Sequence, residues 1–359
     1  MKIVICGLSI TSSWGNGHAT TYRALARALR ARGHQIVFFE RDVEWYGSNR
    51  DMCPPFCRVH LYEQWQDVRN LLRREMADAD VAMVGSFCPD GVKAIDELLD
   101  STAGVKAFYD IDTPITVAKL RTGGADYLRC DQIPGFDVYF SFTGGPILQE
   151  LQSQFGARRA VPLYCSFDPD RYGWREPDPR YQCDLSYMGT YAPDRQEKLG
   201  ELFCDPAQQL PQKDFLLAGP QYPSNIVWPK NVRRIVHLEP IFHPYFYSSS
   251  TFTLNLTRSE MVAAGYSPSV RIFEAAGCGS AIISDVWPGL ETFFQPGQEI
   301  LLGHSSFEIS QYLDNIGPEE AHTIGLRAQE RVMTEHSSGY RAIQFEAEVS
   351  ARSQLGQLA

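Results

Sequence analysis

The run NLTRSEMVAAGYSPSVRIFEAAGCGSAIISD, residues 255–285, is the stretch from which the fold reads most directly. It begins on the end of an apolar, β-rich segment, TFTLNLT, which puts Arg258 at a strand end. Beyond a loop, Ser267-Pro268 has the form of a helix start, with serine as N-cap and proline at the first helical position. The spacing predicts a helix from Pro268 to about Ala276, and SAIISD reads as the next strand. Strand, loop, helix and strand in this order are the repeating unit of a parallel sheet.

Such a helix start carries unpaired backbone N–H groups, here those of Ser267 to Ser269, and these suit an anion. Arg258 can add a charge-assisted bond to a phosphate. Glu274 follows Ser267 by seven residues, about two helical turns. A carboxylate there can accept both hydroxyls of a ribose whose diphosphate sits at the helix start. Glu274 lies among Val270, Ile272, Phe273 and Ala276, where a carboxylate is costly unless partnered, and this favours a functional reading. The structural alternatives are a plain Ser-Pro cap and an Arg258 paired with Glu260 or another surface carboxylate.

The same rhythm runs through both halves of the chain. Residues 1–165 carry the apolar runs KIVICG, QIVFFE, VAMVGS, VKAFYD and DVYFSF, ending in small or polar residues with helical patterns after them. Residues 183–335 repeat it with DLSYMG, DFLLAG, RIVHLE, TFTLNLT, SAIISD and EILL. Residues 166–182, rich in proline, aspartate and aromatics, read as a linker, and 336–359 as a closing helix. The expected fold class is α/β: two Rossmann-like, doubly wound domains facing across a cleft, with ligands at the carboxyl ends of the strands.

The bulk properties remove several classes of function. With 359 residues, 44% hydrophobic, the chain can build two cores. A net charge of -10 argues against a nucleic-acid or anionic-membrane partner, and RALARALRAR (23–32) is better read as the solvated face of a helix. MKIVICGLSI has no apolar run long enough for a signal peptide or a membrane span, so no integral membrane contact is expected. A cytoplasmic location follows as the expectation, with the nine cysteines reduced. CPPFC, with Cys53 and Cys57, lacks the second pair or histidines of a zinc set.

SPSVRIFEAAGCGSAIISD, followed by PGLETFF and PGQEILL, resembles the C-terminal domain of GT-B glycosyltransferases, in particular the spore-maturation CgeB-like group related to glycosyltransferase family 4. DLSYMGTYAPDRQEKL and PLYCSFDPDRY extend the resemblance over most of residues 160–345. It implies a nucleotide-sugar donor held by this helix, with Glu274 on the nucleotide ribose. Gly189, Thr190 and Arg195, at the first turn of the domain, join Arg258, Ser267 and Ser269 as donor contacts. It implies too that helix ends and cations hold the diphosphate, so no metal is expected, and no cofactor, the nucleotide diphosphate sugar being a substrate. Family 4 enzymes commonly carry a second glutamate, and its position here is Tyr266. The family relation implies retention of configuration; Tyr266 leaves the sugar and the stereochemical outcome open.

The loop in SSWGNGHATTYRALARALRARGHQIVFFERD (12–42) imitates a dinucleotide fingerprint. Thr20 stands where the third glycine or alanine belongs, and seven residues separate Gly7 from Gly15, so an NAD(P) site is not expected. Under the glycosyltransferase resemblance, Gly15, Asn16 and Gly17 bring backbone close to the donor phosphates or the acceptor, and His18 serves as general base or hydrogen-bond donor. Asp112, in FYDIDTP, is the other candidate base, while Asp110 can equally cap a loop. The plain alternative for His18 is a helix cap. The function expected is transfer of a sugar, of hexosyltransferase type, to an unidentified acceptor hydroxyl, with His18, Asp112 and Arg258 as catalytic residues. A nucleotide-sugar epimerase of the same fold and a non-catalytic nucleotide-sugar binding protein are the alternatives.

Overall fold

The computed structural model describes residues 1–14, 16–52 and 55–356, with side chains to Arg352. Gly15 of the first loop and Cys53 of the CPPFC pair fall outside the described residues. The chain divides into two units, one made of Met1–Ser166 with Ser338–Ala359, the other of Phe167–Ser337.

The first unit is built on seven strands: β1 (Lys2–Gly7), β2 (Gln35–Arg41), β3 (Arg58–Tyr62), β4 (Val81–Gly85), β5 (Val105–Asp110), β6 (Val138–Ser141) and β7 (Ala160–Pro162). They pair in parallel in the order β3-β2-β1-β4-β5-β6-β7. A parallel sheet is covered on both faces, which is why Ile3, Val4 and Ile5 are all buried in one uninterrupted apolar run. Strand order reverses at β1 and β4, so the loops leaving their carboxyl ends diverge and leave room for a ligand. Register sets Gly7 beside Glu40 and Asp110 beside Ser141, bringing the loops that follow to one edge. The sequence reading missed β3 and β7. RVHLY is an edge strand with little buried apolar surface, and β7 is only three residues long.

The helix Gly17–Ala31 buries Tyr22, Leu25 and Leu29, and Gly33, at φ +88°, turns the chain out of it. The closing helix, Ser338–Gly356, is part of this unit. Its Phe345 ring stacks on Phe140 at 5.2 Å, and Glu346 accepts from Arg32 Nε at 2.7 Å and pairs with His34 Nε2 at 2.6 Å. The Arg32 guanidinium, with His34 beside it, holds the Glu346 carboxyl down at about 2.

The second unit has six strands, all parallel: β8 (Cys183–Met188), β9 (Phe215–Ala218), β10 (Val232–Ile235), β11 (Ser250–Asn255), β12 (Ala281–Ser284) and β13 (Leu301–Leu302), in the order β10-β9-β8-β11-β12-β13. Its order reverses at β8 and β11. Leu185, Phe203, Phe215, Leu217, Leu254 and Ile283 form part of one buried cluster beneath the strands. β10 lies two residues earlier than RIVHLE suggested, because Arg233 and Arg234 are accommodated on an edge strand with their side chains exposed. Residues 167–182, read as a linker, belong to this unit, and a bridge from Phe167 to Ser337 joins its first and last residues.

Candidate functional site

In the second unit the expected residues gather at the carboxyl ends of β8, β11 and β12. Asn255, the last residue of β11, stands beside Ser284 in register and donates to its Oγ at 3.0 Å. Its Oδ1 accepts from Ser269 Oγ at 2.8 Å and from Arg271 Nη1 at 3.2 Å, so one amide fixes the entry to the next helix. That helix runs Val270–Gly277, with Ser269 as N-cap. The start is two residues later than Ser267-Pro268 predicted. Ser267 is wholly buried ahead of the helix, and the Ser269 hydroxyl is spent on Asn255 in place of a cap.

Glu274 is therefore about one turn into the helix, not two. It is 6% exposed, lies beside the Tyr172 hydroxyl, whose partner at 3.3 Å is His243 Nδ1, and is within electrostatic reach of Arg271 and Arg171. Burial pushes its carboxyl up to about 7, against the opposing pull of Tyr172 and the two arginines. A buried carboxylate with so few donors has acceptor capacity left for a ligand's hydroxyls. Tyr172 comes from the stretch read as a linker and was not foreseen.

Gly189 follows β8 directly, and a Cβ there would lie 2.6 Å from Tyr187 Oη. The neighbouring loop after β9 comes closer still, since a Cβ on Gly219 would lie 1.9 Å from the Gly189 carbonyl oxygen. Thr190 is exposed and its carbonyl accepts from Arg195 Nη2 at 2.7 Å. Arg258 departs from its expected place. It precedes the short helix Ser259–Ala264 in the segment read as a loop, is 46% exposed along its side chain, and lies 3.7 Å from Asp194. Arg271, which the sequence reading did not single out, is the arginine that reaches the strand end, donating to Asn255 and, at 3.3 Å, to the Leu256 carbonyl. A signal was available: a cation in the first turn of a helix opposes the helix dipole and asks for a reason.

In the first unit, Asn16 caps the helix Gly17–Ala31, its Oδ1 accepting from the backbone N–H groups of His18 at 3.0 Å and Ala19 at 3.4 Å. Gly17 has open space where a Cβ would stand, so no close approach demands glycine there. His18 is thus released from capping. Its Nε2 lies 2.5 Å from Asp112 Oδ2, while Nδ1 is buried with no hydrogen-bond partner among the described residues. Asp112 keeps 22% of its side chain exposed. Phe87 sets its ring edge-on to the imidazole at 5.8 Å from a backbone with φ +56°, an uncommon conformation for a side chain of that size.

Asp110 has a different task. It is fully buried, accepts from Tyr139 Oη at 2.6 Å, Thr116 Oγ1 at 2.7 Å and the Asp112 N–H at 3.2 Å, and burial raises its carboxyl to about 6. Glu40, the acid that suggested a dinucleotide ribose contact, accepts from the N–H groups of Ile10 and Thr11 at 2.7 and 2.9 Å and from the hydroxyls of Ser9 and Thr11 at 3.0 and 2.6 Å. Four protein donors occupy it, and it braces the loop that carries His18. Among the described residues no group of three or more His, Cys, Asp or Glu side chains could hold a metal ion, and no helix is long and apolar enough to cross a membrane.

Residues 195–347 match the family model described as "Glycosyl transferase-like". No curated protein sequence matches the chain. Among solved structures, sucrose-phosphate synthase from Thermosynechococcus elongatus is 13% identical with a TM-score of 0.68, all of both chains being covered. HepE of Anabaena in complex with UDP is 14% identical with a TM-score of 0.69, covering 98% of this chain and 100% of that one. A glycosyltransferase from Rickettsia africae is 10% identical with a TM-score of 0.69, covering 98% of each. At these identities the likeness is one of fold: two parallel-sheet, Rossmann-like α/β units, as in the GT-B glycosyltransferases.

Proposed function

We propose that the protein is a glycosyltransferase that moves a sugar from a nucleoside diphosphate sugar to an acceptor hydroxyl without a metal ion. The observation that carries the reading is Glu274, a buried carboxylate with spare acceptor capacity, on a helix within the segment that matches the glycosyltransferase-like family model. Glu274 takes the ribose hydroxyls; Ser267, Ser269, Gly189, Thr190 and Arg195 surround the diphosphate. Solved HepE structures carry UDP and UDP-glucose, which makes UDP-glucose the first donor to test.

His18 and Asp112 of the first unit are the acceptor-side groups. Nδ1 of His18 is buried, so the acceptor hydroxyl meets Asp112, whose carboxylate keeps 22% of its side chain exposed and takes the acceptor's proton while His18 Nε2 holds it in place. The acceptor oxygen forms its bond to the anomeric carbon as the bond from that carbon to the diphosphate oxygen breaks. The electron pair departs with the diphosphate and the proton stays on Asp112. A base in this role supports inversion at the anomeric carbon, in place of the retention that the resemblance to family 4 implied.

The test is turnover. Incubated with nucleotide sugars and a mixture of mono- and oligosaccharide acceptors, the protein is expected to yield free nucleoside diphosphate and a new glycoside of inverted configuration. A new sugar nucleotide formed without acceptor would establish the epimerase instead, and nucleotide binding with no reaction a binding protein. A glycoside of retained configuration would remove Asp112 as base.

A further inference from the structure

The amino end of the second sheet carries a hollow that the proposed transfer reaction leaves unused. It lies where β11 and β12 begin, about 17 Å along β11 from Asn255, and has a volume of about 180 Å³. A water's share of the liquid is about 30 Å³, so the hollow has room for several waters or for one sugar ring. Among the described residues no aspartate, glutamate, lysine or arginine lines it, in a chain that is 21% charged.

Trp174 lines the hollow with 47% of its surface exposed. Its segment is pinned at two points. The Arg175 N–H donates to Ser248 Oγ at 3.1 Å, and the Asp178 N–H to Ser249 Oγ at 2.8 Å. Both serines donate onward, to the carbonyls of Cys278 at 3.3 Å and Tyr245 at 2.6 Å, so their hydroxyls hold the indole's segment in place and are occupied in doing so.

Other polar groups of the hollow are unoccupied. Thr251, half-buried, and His322, exposed near the start of the helix Pro318–Glu335, make no side-chain hydrogen bond or ion pair among the described residues. Ser280 is 3% exposed, and its Oγ is buried with no partner among the described residues. A hydroxyl in that state is costly, and a turn about its Cα–Cβ bond is what would give it a ligand as partner.

A flat apolar face beside uncharged donors and acceptors fits a molecule divided in the same way. A pyranose ring presents C–H groups on its face and hydroxyls around its edge. An anion fits poorly, since no lysine or arginine lines the hollow and Glu319 and Glu320 occupy the first turn of the His322 helix. A wholly apolar molecule would leave the Thr251 and Ser280 hydroxyls unpaired. The geometry points to a second sugar-binding site here, for one unit of a neutral saccharide, with Trp174 stacked on the ring and Thr251, His322 and Ser280 bonding its hydroxyls. It shares no residue with the donor contacts and does not depend on them.

The experiment uses the full chain and a panel of neutral sugars: glucose, galactose, mannose, N-acetylglucosamine, maltose and cellobiose. Each is titrated into wild type, Trp174→Ala, Thr251→Val and Glu274→Ala, with saturation-transfer NMR and calorimetry as readouts, and the wild-type series is repeated with UDP present. At least one sugar is expected to bind wild type, with affinity falling roughly tenfold or more in Trp174→Ala and roughly two- to tenfold in Thr251→Val. Glu274→Ala and added UDP should leave that affinity unchanged. No binding by any sugar of the panel, or wild-type affinity in both Trp174→Ala and Thr251→Val, overturns the inference. Loss of binding in Glu274→Ala, or displacement by UDP, puts the sugar at the donor contacts and overturns it as well. Should Trp174→Ala fail to fold, Thr251→Val and His322→Ala put the same question. Sugar binding that depends on Trp174, in a protein that binds no nucleotide, supports this site and removes the donor reading.

Discussion

His18 and Asp112, 94 residues apart in the chain, meet through Nε2 and Oδ2 at 2.5 Å. The imidazole orients a carboxylate that keeps 22% of its side chain exposed and can accept a proton, while Nδ1 itself is buried. Asp112→Asn and His18→Gln are expected to lower kcat by about 10²- to 10⁴-fold, the usual contribution of a positioned base. Nucleotide affinity should stay at the wild-type value. Steady-state rates with titrations of the same preparations check this, and wild-type turnover in either variant contradicts it.

Glu274 links binding to pH. Its folded-state carboxyl is raised to about 7 from an ordinary 4.5, so the folded chain holds a proton that the unfolded chain has released. The resulting cost is absent below pH 4.5, grows as pH rises to about 7 and is complete above it, on the order of 3 kcal/mol. Glu274→Gln should therefore raise stability at pH 8 and change it little at pH 4.5, as read by urea unfolding at both values. Nucleotide affinity should have the opposite sensitivity, weakening below pH 7 in wild type as the carboxylate gains its proton. Affinity independent of pH between 5.5 and 8.5 would detach Glu274 from the ribose.

Glu40 supports the loop that carries His18 without touching His18 itself. Its four donors come from Ser9, Ile10 and Thr11, and register with Gly7 places it directly beneath them. Glu40→Gln puts an amide N–H group against some of these donors and should cost about 1 to 3 kcal/mol in chemical unfolding. NAD(H) should leave the wild-type melting temperature unmoved, since the acid that would hold its ribose is already occupied.

Gly189 is set by space, not by backbone angle. A Cβ there meets Tyr187 Oη at 2.6 Å and Cζ at 2.9 Å, so Gly189→Ala should cost about 1 to 3 kcal/mol and weaken nucleotide binding. Tyr187→Phe removes the nearer atom and is expected to restore part of both losses. A Gly189→Ala protein as stable as wild type would show that the loop yields.

What the sequence made legible was governed by short-range pattern. KIVICG, QIVFFE, VAMVGS and TFTLNLT read as strands because a parallel sheet buries both faces and leaves an unbroken apolar run. Edge strands lack that pressure, and RVHLY passed unnoticed while β10 was displaced toward the more apolar RIVHLE. The Ser267-Pro268 start misled because a cap signal is local, whereas Asn255 draws Ser269 away across the sheet. Glu274 stood out as an acid among apolar neighbours. The Tyr172 hydroxyl beside it, the His18–Asp112 contact and the Arg271–Asn255 hydrogen bond depend on which segments the fold brings together, and spacing along the chain carries no trace of them.

The central claim is that the second unit holds a nucleoside diphosphate through Glu274, and one titration series addresses it most directly. UDP, GDP, ADP, CDP, dTDP and NAD are titrated into wild type and Glu274→Ala at pH 8. The account predicts that one nucleoside diphosphate binds well ahead of the rest, that NAD does not bind, and that Glu274→Ala weakens the favoured one by about 1 to 3 kcal/mol. Equal affinity in the two proteins, or no binding by any nucleoside diphosphate, contradicts it.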